Sequence, residues 1–519
     1  MHGKAVILYF SNGWFRILSD AWIYAAWKVN LLSKRRFQEQ VNYTSEEVRI
    51  FQNEESYPNM FTIMNSHQQY IDLYREHRDM VCDGSIAVMN QARDTAAALL
   101  AEQGLPTTRV ERYKYTNGAE DFAPDFGINL LRRQSSVDAY ATFKCNVPNL
   151  STSLFFVVND IVCSAPQSSR ALLPEGVIVD SFSRVAATHS DILEKYYNQA
   201  AQTDRDFRQG HDGVTLLNTM LAQDGLLVYL PKGVKLKAPI QIVNVAAAEH
   251  DTMSLRRLLV VAEDGAEGSV LLCDHAEDTQ AHYLTTQVIE AYAEAESKLN
   301  IYSIEESNEK TTRYSTLYVE QQRGSLLSYD GVTLTCGRSR NRIDVRLLGE
   351  GAKTELYGAV VADREQHVDN NIVVEHLSPR CESEMLYKYV LNEHSVGAFA
   401  GKVYVAPGAQ QTASQQTNAN LCVSPTARAF SQPMLEIYAD DVKCNHGSSI
   451  GKLDEMALFY MRQRGIPEVE ARLLLQHAFI NDVLRHVEIP HLHDRLSQLV
   501  ELRFRGELSK CKGCHGCVK

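Results

Sequence analysis

At 519 residues, with 45% apolar and 22% charged side chains, the chain is long enough for two or three domains and is neither disordered nor fibrous in composition. A net charge of -12 gives no overall basic field, which argues against sequence-independent nucleic-acid binding as the main activity. Eleven cysteines without framework spacing, in a chain of this size, read as reduced thiols of a cytoplasmic protein and not as a disulfide scaffold.

Residues 1–63 differ from the rest of the chain. They hold all three tryptophans, Trp14, Trp22 and Trp27. The stretch "AVILYFSNGWFRILSDAWIYAAW" is interrupted by Arg16 and Asp20, too polar for a clean span, and it lacks the basic n-region and small-residue cleavage site of a signal peptide. We expect no stable membrane association. The segment reads as a mis-started extension, with translation beginning at Met64, where "MNSHQQYIDLYREH" has ordinary helical patterning; a surface-lying amphipathic segment is the alternative.

From Gln68 to Gln103 apolar residues recur at helical spacing, and "GLP" at 104–106 stops the helix. A turn-rich stretch runs to about Asn149, and a second helical block from Ser181 to Gln223 ends at "QDG". Residues 64–224 thus form an N-terminal helical region leading into the core. After Gly225 short β-branched or alternating runs are separated by Gly, Asp and Asn turns, through "NRIDVRLLGEGAKTELYGAVV" and "GAFAGKVYVAPGAQQT". So many strands without intervening helices, over 225–446, exclude a doubly wound sheet and leave a sandwich pair, a barrel or a solenoid. The ragged period does not choose among them.

Residues 447–506 return to helix. "KLDEMALFYMRQRG" has Asp454 as N-cap and Gly465 as stop, and "IPEVEARLLLQHAFINDVLRHV" follows with Pro467 in a first-turn position. Val469, Leu473, Ile480 and Leu484 form one stripe, with Leu475, Phe479 and Val483 beside it. That face is too broad for a helix touching one neighbour. It is either part of a bundle capping the strands or a docking surface for another subunit.

The stretch "DDVKCNHGSSIGKL", from Asp440 to Leu453, carries the densest candidate chemistry. It is no phosphate loop: Gly447 and Gly451 enclose three residues instead of four, and Leu453 follows Lys452 where Ser or Thr would hold magnesium. The chain has no nucleotide site of its own. If the stretch is extended, Cys444 and His446 point to one face and can meet one iron or zinc ion. Two ligands do not close a site; either others come from elsewhere, or this is a buried thiol beside a turn histidine. Asp440 and Asp441, being consecutive, face opposite ways and cannot flank one bond.

The tail, 507–519, presents Cys511, Cys514 and Cys517 with His515 at ligand spacing for zinc or an iron-sulfur cluster, but at a chain terminus, which favours transient metal binding or redox reactivity over a structural role. Cys336, Cys381 and Cys422 read as core thiols. His367, His376 and His394 read as structural polar groups on successive coils.

Taken together, "QHVDNNIVVEHLSPRCESEMLYKYVLNEHSVGAFAGKVYVAPGAQQTASQQTNANL" and "PMLEIYADDVKCNHGSSIGKLDEMALFYMRQRGI", with "GLPTTRVERYKYTN" and "LLNTMLAQDGLLVYLPKGV" before them, closely resemble the SufB/SufD family of iron-sulfur cluster assembly scaffolds. The resemblance covers about Met64 to Gly506. Within the family the chain looks like the SufD type: it carries K-C-x-H-G as Lys443 to Gly447 and lacks the "CGAHTFPY"-like segment of SufB. Tyr113 stands where the family usually has tryptophan, a departure expected to affect packing only.

The resemblance implies a mainly β fold, a right-handed parallel β-helix (solenoid) core flanked by N-terminal and C-terminal α-helical domains. It implies a non-catalytic scaffold that pairs with SufB through the end of the β-helix, while the C-terminal helices dock the ATPase SufC, which would hydrolyse the ATP. Cys444 and especially His446 would then face SufB as part of a shared site for iron or a transient iron-sulfur cluster. Reduced flavin in the complex, and a homodimer of the chain alone, are compatible with it. A purely structural partner of SufB and SufC, and more remotely a β-helix enzyme acting on polysaccharide, are the other readings.

Overall fold

The computed structural model describes residues 6–9, 15–18, 66–134, 139–142, 152–201, 212–277 and 279–506. The chain divides into two units, Met1–Asn59 and Met60–Lys519. In the first, strands Val6–Tyr9 and Phe15–Leu18 pair antiparallel. The expected start at Met64 and the cysteine-rich tail fall outside the described residues.

The second unit is built on a β-solenoid of about 8 turns. Two sheets run its length, and successive strands of the chain alternate between them. The first sheet extends from Ser153–Val158 through Ile240–Ala246 to Val442–Gly451, and the second from Ile178–Ser181 through Leu226–Leu230 to Arg428–Ile437. Ladders between coils are parallel and in register, so like positions stack: Asn341 donates to Asn370, 29 residues on, and Ser383 meets Ser414, 31 residues on. The sandwich and the barrel are thereby excluded.

Strand Thr252–Ala262 shows why the sequence period was ragged. Leu258, Val260 and Ala262 point between the sheets, while Met253, Leu255, Leu259 and Val261 face outward under the N-terminal helices. A strand covered on both faces loses its polar alternation and reads as a continuous apolar run.

Each outer face carries its own helical layer. Helices Ser66–Glu76, Ala87–Gln103 and Gly213–Leu221 bury Tyr74, Leu100 and Leu217 in one cluster with Leu255, Val288 and Tyr318 of the second sheet. Tyr113 does more than pack there: its hydroxyl donates to Asp212 Oδ1 at 2.9 Å, and the same carboxylate caps Gly213–Leu221 by accepting from Val214 N at 3.0 Å. The expectation that this position affects packing only is corrected, because a phenol brings a polar handle that finds a partner when buried.

Helices Glu468–Leu484 and Pro490–Phe504 lie on the outer face of the first sheet, burying Ile480, Val483, Leu484 and Leu496 with Leu271, Val332, Tyr357 and Leu386. Arg503 fastens them, with Nε donating to the Leu334 carbonyl and Nη1 to Asp363 Oδ2, each at 2.6 Å. These helices therefore flank the strands and do not cap them. At the start of the solenoid the sheets end in short antiparallel strands, Ile161–Val162 beside Ser153–Val158 and Ile178–Ser181 beside Leu226–Leu230. At the other end, Arg428–Ile437 and Val442–Gly451 are the edge strands of their sheets.

Candidate functional site at the open end of the solenoid

Strand Val442–Gly451 follows the turn that holds exposed Asp440 and Asp441, and it pairs on one side only, with Thr412–Cys422. Its other edge leaves a row of backbone donors and acceptors unpaired among the described residues, the kind of edge that natural proteins normally cover. Gly447 and Gly451 lie within this strand, not in a phosphate-wrapping loop.

Register fixes where the side chains go. Inward-facing Ser383, Met385, Tyr387 and Tyr389 stack under Ser414, Gln416, Asn418 and Asn420, which stack under Cys444, His446, Ser448 and Ile450. Cys444 and His446 therefore share the inner face of the last coil, Cys444 half-buried and His446 exposed. The alternation argument holds because the ladder is unbroken across both residues. Among the described residues, no group of three or more His, Cys, Asp and Glu side chains is placed to hold a metal ion. Cys444 and His446 remain a pair.

The interior beneath the pair is polar where a solenoid core is normally apolar. Ser414, Gln416, Asn418 and Asn420 are all buried. Most are satisfied within the coil stack: Asn420 Nδ2 donates to Asn418 Oδ1 at 2.7 Å and to the Ser449 carbonyl at 3.0 Å, and Asn418 Nδ2 donates to the Tyr387 carbonyl at 3.2 Å. His376 Nε2 lies 2.8 Å from Ser383 Oγ, which lies 2.8 Å from Ser414 Oγ, one step below Cys444. In the last coil itself Ser448 Oγ donates across the interior to Ser431 Oγ at 2.7 Å.

Burial pushes the Cys444 thiol up, opposed by a hydrogen bond from the backbone of Ser414. The thiolate, the form that ligates, is thus disfavoured until a cation or other compensating group arrives. Burial lowers His376 to about 4, so it is neutral at neutral pH. His367, also lowered to about 4 by burial, sits 3.2 Å from Thr116 Oγ1, and His394 is exposed in a turn. The three do not converge on a site. Cys336 and Cys381 are buried, as core thiols should be, whereas Cys422 is only half-buried. Cys511, Cys514 and Cys517 lie outside the described residues.

The polar floor escaped sequence reading. "QQTNANL" does alternate, with Gln416, Asn418 and Asn420 two apart, but polar alternation ordinarily marks a solvent face. Only the register shows that this face is the inside.

A second bare surface lies on the helices. Asp454 caps Glu455–Gln463 as expected, its Oδ1 accepting from Met456 N at 2.8 Å. That helix leaves Met456 75% exposed along with Phe459 and Tyr460, and Val469 at the start of the next helix is 74% exposed. The broad apolar stripe is divided: Ile480 and Leu484 pack on the sheet, Leu473 is half-buried, and Val469 is bare.

Fold and site together define a helix-flanked parallel β-solenoid with an unpaired terminal coil carrying a cysteine–histidine pair. Two family models match it in adjoining segments, "SufBD protein N-terminal region" over 64–242 and "SUF system FeS cluster assembly, SufBD core domain" over 244–479. The chain belongs to the SufBD family of the SUF iron-sulfur cluster assembly system. It is 28% identical to an iron-sulfur cluster assembly SufBD family protein of Synechocystis, over 82% of this chain and 93% of the relative. A chloroplastic protein of Arabidopsis thaliana, ABCI7, is 27% identical over 78% of this chain and 84% of its own. The iron-sulfur cluster assembly protein SufD of Bacillus subtilis is 25% identical over 65% of this chain and 76% of its own. Family membership sets the polysaccharide reading aside. No helix among the described residues is long and apolar enough to cross a membrane.

Proposed function

We propose that this chain is a SufD-type, non-catalytic scaffold subunit of the cytoplasmic SUF machinery, and that its open solenoid end supplies half of a site where iron or a nascent iron-sulfur cluster, the cargo of the system, is held. The observation that carries this reading is the terminal strand Val442–Gly451, which combines an unpaired edge with exposed His446 and half-buried Cys444 on one face. An edge of this kind is satisfied by continuing the sheet into a second chain. A SufB partner paired there would bring the ligands that the pair lacks. His446 is the principal ligand in this reading, since its imidazole is exposed at the open edge, and Cys444 is secondary because burial disfavours its thiolate. ATP hydrolysis belongs to SufC, docked on the bare helical face of Met456, Phe459, Tyr460 and Val469. Its movement, transmitted through helices fastened to the first sheet by Arg503, would open the seam to iron and sulfide.

The test is co-expression with SufB and SufC, followed by reconstitution and assay of iron and acid-labile sulfide. His446→Ala should leave the complex assembled and abolish cluster formation. Unchanged cluster content would refute the half-site and favour a purely structural role in stabilising SufB and recruiting SufC.

A further inference from the structure

Gln416 is fully buried, and neither its Oε1 nor its Nε2 has a hydrogen-bond partner among the described residues. An amide in that state costs free energy unless something completes it. Its environment is also built for it. Gly401, in the middle of strand Val396–Val405 of the opposite sheet, is where the carboxamide comes to rest: a Cβ added there would collide with Gln416 Nε2. Glycine within a strand is intrinsically unfavourable and often marks a close approach by another group. The coil above sets Pro433, which has no N–H to offer, over Gly401, and His446 over Gln416. Strand neighbours at such positions are about 4.8 Å apart, within reach of an unbranched amide.

We infer that Gln416 is a positioning residue of the terminal site, its carboxamide hydrogen-bonding a water molecule in the coordination sphere of a divalent transition-metal ion held by His446. The inference rests on the half-site reading above and adds a residue to it. It explains together the unpaired amide, the glycine cradle and the polar floor one coil beneath the ligand pair. Outer-sphere groups of this kind typically contribute a factor of about ten to a hundred in metal affinity.

Cobalt(II), a spectroscopic stand-in for ferrous iron, is the probe. It is titrated into the complex of SufB with the full chain carrying Cys511→Ser, Cys514→Ser and Cys517→Ser, so that the partner's ligands are present and the tail thiols contribute nothing, with visible absorption and calorimetry as readouts. Gln416→Met, of similar length and apolar, should weaken cobalt binding at least about tenfold. It should leave the thermal midpoint unchanged or raised, because it removes an unsatisfied buried amide. Gln416→Glu, which keeps an oxygen acceptor at the same reach, should retain binding. Undiminished affinity in Gln416→Met, or loss of binding in Gln416→Glu with the fold intact, overturns the inference while leaving the half-site standing. Failure of that complex to bind cobalt, or unchanged binding in its His446→Ala variant, overturns both.

Discussion

His376 offers a quantitative check on the polar interior of the last coils. It is buried, its Nε2 is 2.8 Å from Ser383 Oγ, and its Nδ1 has no partner among the described residues. Burial lowers it to about 4 from an ordinary 6.5, and it stays neutral in the fold while the unfolded chain protonates. Between those two values the unfolded state therefore binds more protons, and stability falls as the pH falls. The loss begins near pH 6.5, reaches about 2 kcal/mol at pH 5 and levels off at about 3 kcal/mol below pH 4. His376→Gln keeps a donor toward Ser383 and removes the titration. Urea denaturation of wild type and variant at pH 7.5 and pH 5 isolates the effect, since the other histidines cancel in the difference. Wild type should lose about 2 kcal/mol more than the variant on acidification. Equal pH dependence would show that His376 is solvated or charged in the native protein and would refute a sealed interior at this coil.

Two further perturbations probe the packing and the partner surface. Gly401→Ala forces a methyl group against the Gln416 carboxamide and the Phe399 ring and should cost about 1–3 kcal/mol, part of it restored by adding Gln416→Ala; a strictly additive double-mutant cycle would contradict the contact with Gln416. Met456→Glu combined with Phe459→Ser alters exposed side chains only, so stability should move by no more than about 1 kcal/mol while co-purification of the SufC ATPase drops at least about tenfold. Retention of SufC by that variant would send the search for its docking surface elsewhere.

Local pattern was enough to specify the strand-rich core, the flanking helices, the Asp454 cap and the pairing of Cys444 with His446 on one face. These depend on period and on local hydrogen bonding, which neighbours in sequence carry. The motifs also carried the family resemblance. Which strands stack on which was not legible, because strands covered on both faces lose their alternation. Nor was the placement of the C-terminal helices along a sheet instead of across its end, since an apolar stripe does not name what it packs against. The role of Gln416 as a buried amide depends on Gly401, in the preceding strand, and on His446, 30 residues further on by the register of the ladder. Only the coiling of the chain brings the three together, so their relation belongs to the tertiary structure and not to any local pattern.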